Sequence, residues 1–205
     1  MVYRVIKRTF DFTSALLLFI AISPLFLILI ICAYFSIGKP VFFRQERSGL
    51  HGKPFYLIKF RTMTDERDEN GYLLSDKERL TKFGEFLRNT SLDELPELLN
   101  IIKGDMSVIG PRPLYIRYND YFTKYELKRN TVRGGLIPPE SLYHDSFLTW
   151  DKQLQYEADY ADNLNFLLDL KIMISVFKTI VKRRRTRYGE YERIDLDEER
   201  NTKLN

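Results

Sequence analysis

The sequence predicts an α+β fold: one long apolar helix, then a small polar domain of helices around a β-hairpin, with amphipathic helices at its edge. Three observations predict it. Residues 12–38 carry no charge. Two aromatic and β-branched runs, Val41-Phe42-Phe43-Arg44 and Phe55-Tyr56-Leu57-Ile58-Lys59-Phe60, flank a segment with two glycines and a proline. Apolar residues recur at helical spacing over 95–102 and 163–181. The 205 residues suit one domain with appendages, and 44% hydrophobic content is enough to fold most of them.

The apolar segment comes first. A straight helix over 12–38 is about 40 Å long, enough to cross a bilayer. It is too long for the core of a signal peptide, and no small-residue cleavage site follows. Pro24, after Ser23, removes one backbone hydrogen bond and predicts a kink. The Ser23 hydroxyl can bond the carbonyl set free. Basic residues flank both ends: Arg4, Lys7 and Arg8 before, Lys39, Arg44 and Arg47 after. Positive flanks favour the cytoplasm. A spanning helix satisfies one flank and a re-entrant helix both, so the residues alone leave both open. Asp11 stands four and three residues from Lys7 and Arg8 and is expected to pair with them at the interface.

Residues 1–60 hold eight Lys and Arg against two acids, a net +6 around the apolar segment. That distribution suits an anionic membrane surface. It does not suit nucleic acid, because no basic stripe is interleaved with stacking aromatics. One cysteine, Cys32, excludes an internal disulfide, and the two histidines have no metal-ligand spacing.

From Pro40 onward the strands predict a hairpin with a long loop. Residues 64–79 read as an exposed loop, 80–88 as a short helix, and 95–102 as a helix ended by Gly104. Gly110-Pro111-Arg112-Pro113 reads as a rigid turn. Residues 114–130 read as helical, 133–143 as a loop, and 150–160 as amphipathic. The helix at 163–181 has a broad apolar face and runs into Lys182-Arg183-Arg184-Arg185. It suits either the core or a bilayer surface. Residues 186–205 are dense in charge and read as a disordered tail. The expected organisation is thus 1–38 membrane helix, 39–185 cytosolic domain at the membrane surface, and 186–205 tail.

The chemistry concentrates in Thr90-Ser91-Leu92-Asp93-Glu94-Leu95-Pro96. Ser91 and Glu94 have capping-box spacing. That reading puts Pro96 where a backbone donor is needed, whereas proline suits a first helical residue. The alternative leaves Asp93 and Glu94 in a turn ahead of the helix. Adjacent carboxylates split their pKa values, so one can be nucleophile or ligand and the other a base. Lys59, Arg61, Arg88 and Arg112 are the candidate cations, and arginine grips phosphate through two hydrogen bonds. Oxygen ligands would favour Mg²⁺.

Phe42-Phe43-Arg44-Gln45-Glu46-Arg47-Ser48-Gly49, Lys59-Phe60-Arg61-Thr62-Met63, Ser91-Leu92-Asp93-Glu94-Leu95-Pro96-Glu97-Leu98 and Lys103-Gly104-Asp105-Met106-Ser107-Val108-Ile109-Gly110-Pro111-Arg112-Pro113 stand in this order. The ordered set resembles the bacterial sugar transferases, the small monotopic phosphoglycosyl transferases. The resemblance covers most of 3–133 and resumes from Trp150 through Asp169-Leu170-Lys171 to about Val181.

The resemblance implies a helix broken at Ser23-Pro24 that re-enters one leaflet, with Lys7, Arg8 and Asp11 as interfacial anchors. The expected place is the cytoplasmic face of a bacterial inner membrane. It implies transfer of a phosphosugar from a UDP-sugar to undecaprenyl phosphate, with release of UMP. Asp93 is the expected nucleophile and Mg²⁺ ligand, Glu94 the general base, and Lys59, Arg88 and Arg112 the phosphate contacts. Membrane lipids and downstream glycosyltransferases are the expected partners. The chain resembles the short, catalytic-core form. One stretch departs: Arg133-Gly134-Gly135-Leu136-Ile137-Pro138-Pro139-Glu140-Ser141-Leu142-Tyr143 lacks the Trp, Gln and Gly-Arg usual in the family. That puts donor choice in question and leaves a membrane-anchored inactive scaffold as the alternative function.

Overall fold

The computed structural model describes residues 2–143, 148–181 and 193–204. The first helix, α1 (Val2–Ile37), runs as one hydrogen-bonded element through Pro24. The expected break is thus not a gap between two helices. Proline leaves the carbonyl four residues back without its amide partner, which here is Ile20. The Ser23 hydroxyl donates to that carbonyl at 2.8 Å.

Helix α1 buries one narrow stripe: Asp11, Ala15, Phe26, Leu29 and Ala33. The other faces leave Leu17, Ile20, Leu27 and Ile31 exposed. Both halves of the stripe meet the same domain. Ala15 packs with Leu57, Leu98, Ile101 and Met106. Phe26, Leu29 and Ala33 pack with Phe60 and Leu87, and the Phe26 ring lies 5.2 Å from that of Phe60.

The expected hairpin is present. Strands β1 (Phe42–Ser48) and β2 (Pro54–Phe60) pair antiparallel from Phe42 opposite Phe60 to Ser48 opposite Pro54. The expected loop over 64–79 includes a short helix, α2 (Asp76–Arg79). Helices α3 (Lys82–Asn89) and α4 (Glu97–Lys103) follow, and Gly104 ends α4 at φ 101°. Two expectations are corrected. Residues 116–121 and 126–131 are 3-10 turns rather than a regular helix. The loop expected over 133–143 contains β4 (Gly135–Ile137), which pairs parallel with β3 (Ser107–Ile109). A Cβ on Gly110 would lie 2.3 Å from the Arg133 carbonyl oxygen, so glycine is required where these segments cross.

Helices α5 (Trp150–Asp162) and α6 (Phe166–Val181) close the domain. On α6 the buried positions include Asp169, Ile172 and Ser175, while Phe166, Leu167, Phe177 and Val181 are exposed. Its apolar face therefore lies outside the core. The basic run 182–185 lies outside the described residues.

The interfacial anchors pair differently from expectation. Asp11 is buried and accepts from the Ser107 hydroxyl at 2.7 Å and the Val108 amide at 3.1 Å, not from Lys7 or Arg8. Lys7 pairs with Asp169 at 2.7 Å. Arg8 donates to the carbonyls of Ile101 and Ile102, closing the end of α4. Helical spacing permitted the local pairs, but tertiary partners on β3, α4 and α6 satisfied each group better.

Within the range expected to be disordered, α7 (Leu196–Leu204) is ordered. Leu196 is fully buried among Leu114, Tyr118, Trp150 and Leu154. Arg200 bridges Glu126 and Asp151, each at 2.7 Å. One apolar anchor plus ion pairs to distant residues is invisible to composition. Leu196→Ala is expected to cost about 2–5 kcal/mol. Thermal unfolding in detergent micelles checks it, and an unchanged midpoint would mean that the tail adds nothing to stability.

Candidate active site

The turn between α3 and α4 presents the paired carboxylates. Ser91 adopts φ 55°, ψ 20° and caps nothing, so the capping box is not formed. Leu92–Glu94 is one 3-10 turn, and Pro96 leads into α4. Leu92 and Leu95 pack against the cluster of Phe26, Phe60 and Leu87. Residues three apart on a 3-10 turn share a face. Turning those leucines inward therefore leaves Asp93 and Glu94 outward.

The structure brings Lys59 and Arg112 to Glu94. Lys59 Nζ lies 2.6 Å from Glu94 Oε1 and 3.2 Å from Glu97 Oε1. Arg112 Nη2 lies 3.0 Å from the same Glu94 oxygen. Arg88 donates to the Thr62 hydroxyl at 3.0 Å, and its charge reaches Asp93. Arg61 turns away to Asp65 and the carbonyls of Lys39 and Met63. Asp93 is half-buried, and no ion pair or side-chain hydrogen bond joins its carboxylate to another described residue.

The two neighbours titrate apart. Burial pushes the Asp93 carboxyl above its ordinary value, with Lys59 and Arg88 pulling the other way and Glu94 adding to the rise. Burial also acts on Glu94, but Arg112 and Lys59 outweigh it and hold that carboxylate below the usual range. Glu94 is thus a fixed negative charge between two cations, and Asp93 is the unengaged partner.

Sequence reasoning missed Glu97. It is 4% exposed, and burial raises its carboxyl to about 7. Between the ordinary carboxyl range and about 7, the folded protein keeps a proton that the unfolded chain has released. Stability therefore falls as pH rises through that window. Glu97→Gln is expected to flatten the dependence between pH 5 and 7.5 and to stabilise by roughly 2–3 kcal/mol at pH 8. Unfolding midpoints across that range check it; a parallel slope in the variant would reject the assignment.

Also missed was the clamp on Arg112. Glu157, fully buried, accepts from the Arg112 amide at 3.1 Å and from Arg129 Nε at 2.6 Å. Arg129 Nη2 donates to the Arg112 carbonyl at 2.5 Å. Gln153 and Glu157, four apart on the inner face of α5, were the available signal: a polar pair on the buried side of an amphipathic helix.

Lys59, Glu94, Glu97 and Arg112 line one cleft of about 390 Å³, partly open to solvent, together with Arg47, Gly135 and Leu136. The divergent stretch thus forms one wall of the site. Its Glu140 is raised to about 8 by burial and by Glu157, and one of its oxygens is buried without a partner. Among the described residues no three His, Cys, Asp or Glu converge as a metal cage. The unengaged Asp93 carboxylate fits Mg²⁺ of the kind held by one carboxylate with phosphate oxygens and water.

The model of the family described as bacterial sugar transferase matches residues 2–183. The chain belongs to that family. An uncharacterized sugar transferase, EpsL, of Bacillus subtilis is 46% identical over 86% of this chain and 88% of its own. The UDP-glucose:undecaprenyl-phosphate glucose-1-phosphate transferase of Klebsiella pneumoniae is 34% identical over 87% of this chain, which spans 41% of that relative. The undecaprenyl-phosphate galactose phosphotransferase of Salmonella typhimurium is 30% identical over 88% of this chain and 41% of its own. In this bacterial sugar transferase the carboxylate turn, Lys59 and Arg112 therefore lie within the part shared with relatives named for sugar-phosphate transfer.

Proposed function

We propose that this bacterial sugar transferase moves a sugar phosphate from a UDP-sugar to undecaprenyl phosphate. One observation carries the reading: Asp93 stands unengaged beside Glu94, whose charge is already matched by Lys59 and Arg112. A carboxylate with no ion pair or side-chain hydrogen bond to another described residue is available for bond formation.

In the first step an Asp93 oxygen forms a bond to the sugar-linked phosphorus, and the bond from that phosphorus to the UMP oxygen breaks. UMP leaves with the electron pair. An aspartyl phosphosugar remains. In the second step a phosphate oxygen of undecaprenyl phosphate attacks the same phosphorus. The acyl phosphate bond breaks, Asp93 is restored, and a polyprenyl diphosphate sugar forms.

Lys59 and Arg112 bind the diphosphate oxygens, with Arg88 placing further positive charge near Asp93. As the two cations turn to phosphate, Glu94 is freed to take any proton left on the acceptor phosphate. Mg²⁺, held by Asp93 and phosphate oxygens, would neutralise charge on the diphosphate.

The place of this reaction is the cytoplasmic face of the inner membrane, with α1 entering one leaflet and returning. Support comes from packing: both halves of α1 contact one domain, which suits a helix that stays on one side. Downstream glycosyltransferases would extend the product. The test is UMP release by the purified protein with Mg²⁺, undecaprenyl phosphate and a panel of UDP-sugars. Without acceptor, a stoichiometric burst of UMP and a protein mass increased by one phosphosugar are expected. No release from any donor would overturn the reading.

A further inference from the structure

We propose that an anionic phospholipid binds along α1, its phosphodiester in a cationic cavity against β3 and Arg133 and one acyl chain in the neighbouring apolar groove against α6. The cavity is partly open to solvent, and Arg4, Lys7, Arg8, His51 and Arg133 contribute to its wall. Its charge is only partly offset locally. Arg8 donates to the carbonyls of Ile101 and Ile102, and Arg133 Nε to that of Gly104. These acceptors at the end of α4 bring only partial negative charge. Arg4 has no hydrogen-bond or ion-pair partner among the described residues. Lys7 is matched by Asp169. Asp11, the one carboxylate lining the cavity among the described residues, is occupied by Ser107 and the Val108 amide. Three guanidiniums therefore face the space without a carboxylate partner, a setting that favours a phosphate.

The groove beside it is lined by Ile6, Phe10, Val108, Phe166, Leu170 and Met173. Lys7, Asp11 and Ile109 line both spaces, so the two lie side by side against one shared wall. A cationic cavity beside an apolar groove matches a molecule with an anionic head and a hydrocarbon chain.

Position decides which such molecule. Two arginines of the cavity, Arg8 and Arg133, bond carbonyls at the end of α4, whereas the Asp93-Glu94 turn precedes its first residue. Seven helical residues separate them by about 10 Å. The cavity shares no lining residue with the active-site cleft. A phosphate held there is out of reach of Asp93, so the occupant is a non-reacting bilayer lipid that fastens α1 to α6 rather than the acceptor. The proposal does not depend on the reaction, and Asp93→Asn is expected to bind lipid as the parent does.

The test uses the full chain in detergent micelles, with retained lipid counted by native mass spectrometry. Dioleoyl phosphatidylglycerol is expected to be retained at least tenfold over dioleoyl phosphatidylcholine. Arg4→Glu, whose side chain makes no bond, is expected to lower that retention about tenfold without moving the unfolding midpoint. Leu170→Glu, in the groove, is expected to lower it similarly. Equal retention of the two lipids, or unchanged retention in Arg4→Glu, would overturn the proposal. So would release of phosphatidylglycerol by 10 mM inorganic phosphate, which would indicate a free-phosphate site. Preferential displacement by undecaprenyl phosphate would reassign the site to the acceptor.

Discussion

Asp93→Asn is expected to lower UMP release by roughly 10⁴-fold or more, the scale seen when a covalent nucleophile is removed. Asparagine keeps the shape of the side chain but cannot form the acyl phosphate. Because Asp93 makes no ion pair or side-chain hydrogen bond to another described residue and burial disfavours its charge, the unfolding midpoint should hold or rise at neutral pH. Mass spectrometry without acceptor should show no phosphosugar adduct. Full turnover by the variant would mean that the acceptor phosphate attacks the donor directly and that Asp93 serves only as a ligand. The pH profile adds an independent reading. Burial raises the Asp93 carboxyl, so the first step should gain rate as pH rises through that raised value and fall away below it.

Arg129→Ala is expected to cost about 3–5 kcal/mol, because it leaves Glu157 buried and charged with its partner gone. For a chain of this length that lowers the unfolding midpoint by roughly 10 °C. The damage should extend to the site. Arg129 and Glu157 grip the carbonyl and amide of Arg112, so a loosened Arg112 should raise the KM for the UDP-sugar in whatever fraction remains folded. The double variant Arg129→Met, Glu157→Leu removes both charges and should recover most of the stability but not the KM. A cost below about 1 kcal/mol for Arg129→Ala would show the pair to be incidental.

Much of this was legible beforehand because it rests on local chemistry. The hairpin followed from two strand-like runs around Gly49, Gly52 and Pro54, and the end of α4 from Gly104. Pro96 suited a helix start that leaves Asp93 and Glu94 ahead of it, while the spacing of Ser91 and Glu94 also allowed a capping box, and the residues alone left both open. The turn won because Leu92 and Leu95 gain more from packing on Phe60 and Leu87 than Ser91 gains from one cap. The order of the four motifs pointed to the family before any contact was known.

The partners of charged groups were not legible. Lys7, Arg8 and Asp11 look like a local trio, yet each bonds to a residue about ninety or more positions away. Glu97 reads as an ordinary surface residue of a helix until burial changes its titration. The charged tail gave no sign that Leu196 completes a core cluster. The sequence by itself determined the apolar helix, the adjacent carboxylates and the family, since those depend on neighbours in the chain. The tertiary structure alone decided which cations reach Glu94, what holds Arg112, and that the divergent stretch forms a wall of the cleft. Charge pairing and burial depend on through-space distance, and distance between remote residues exists only once the chain has folded.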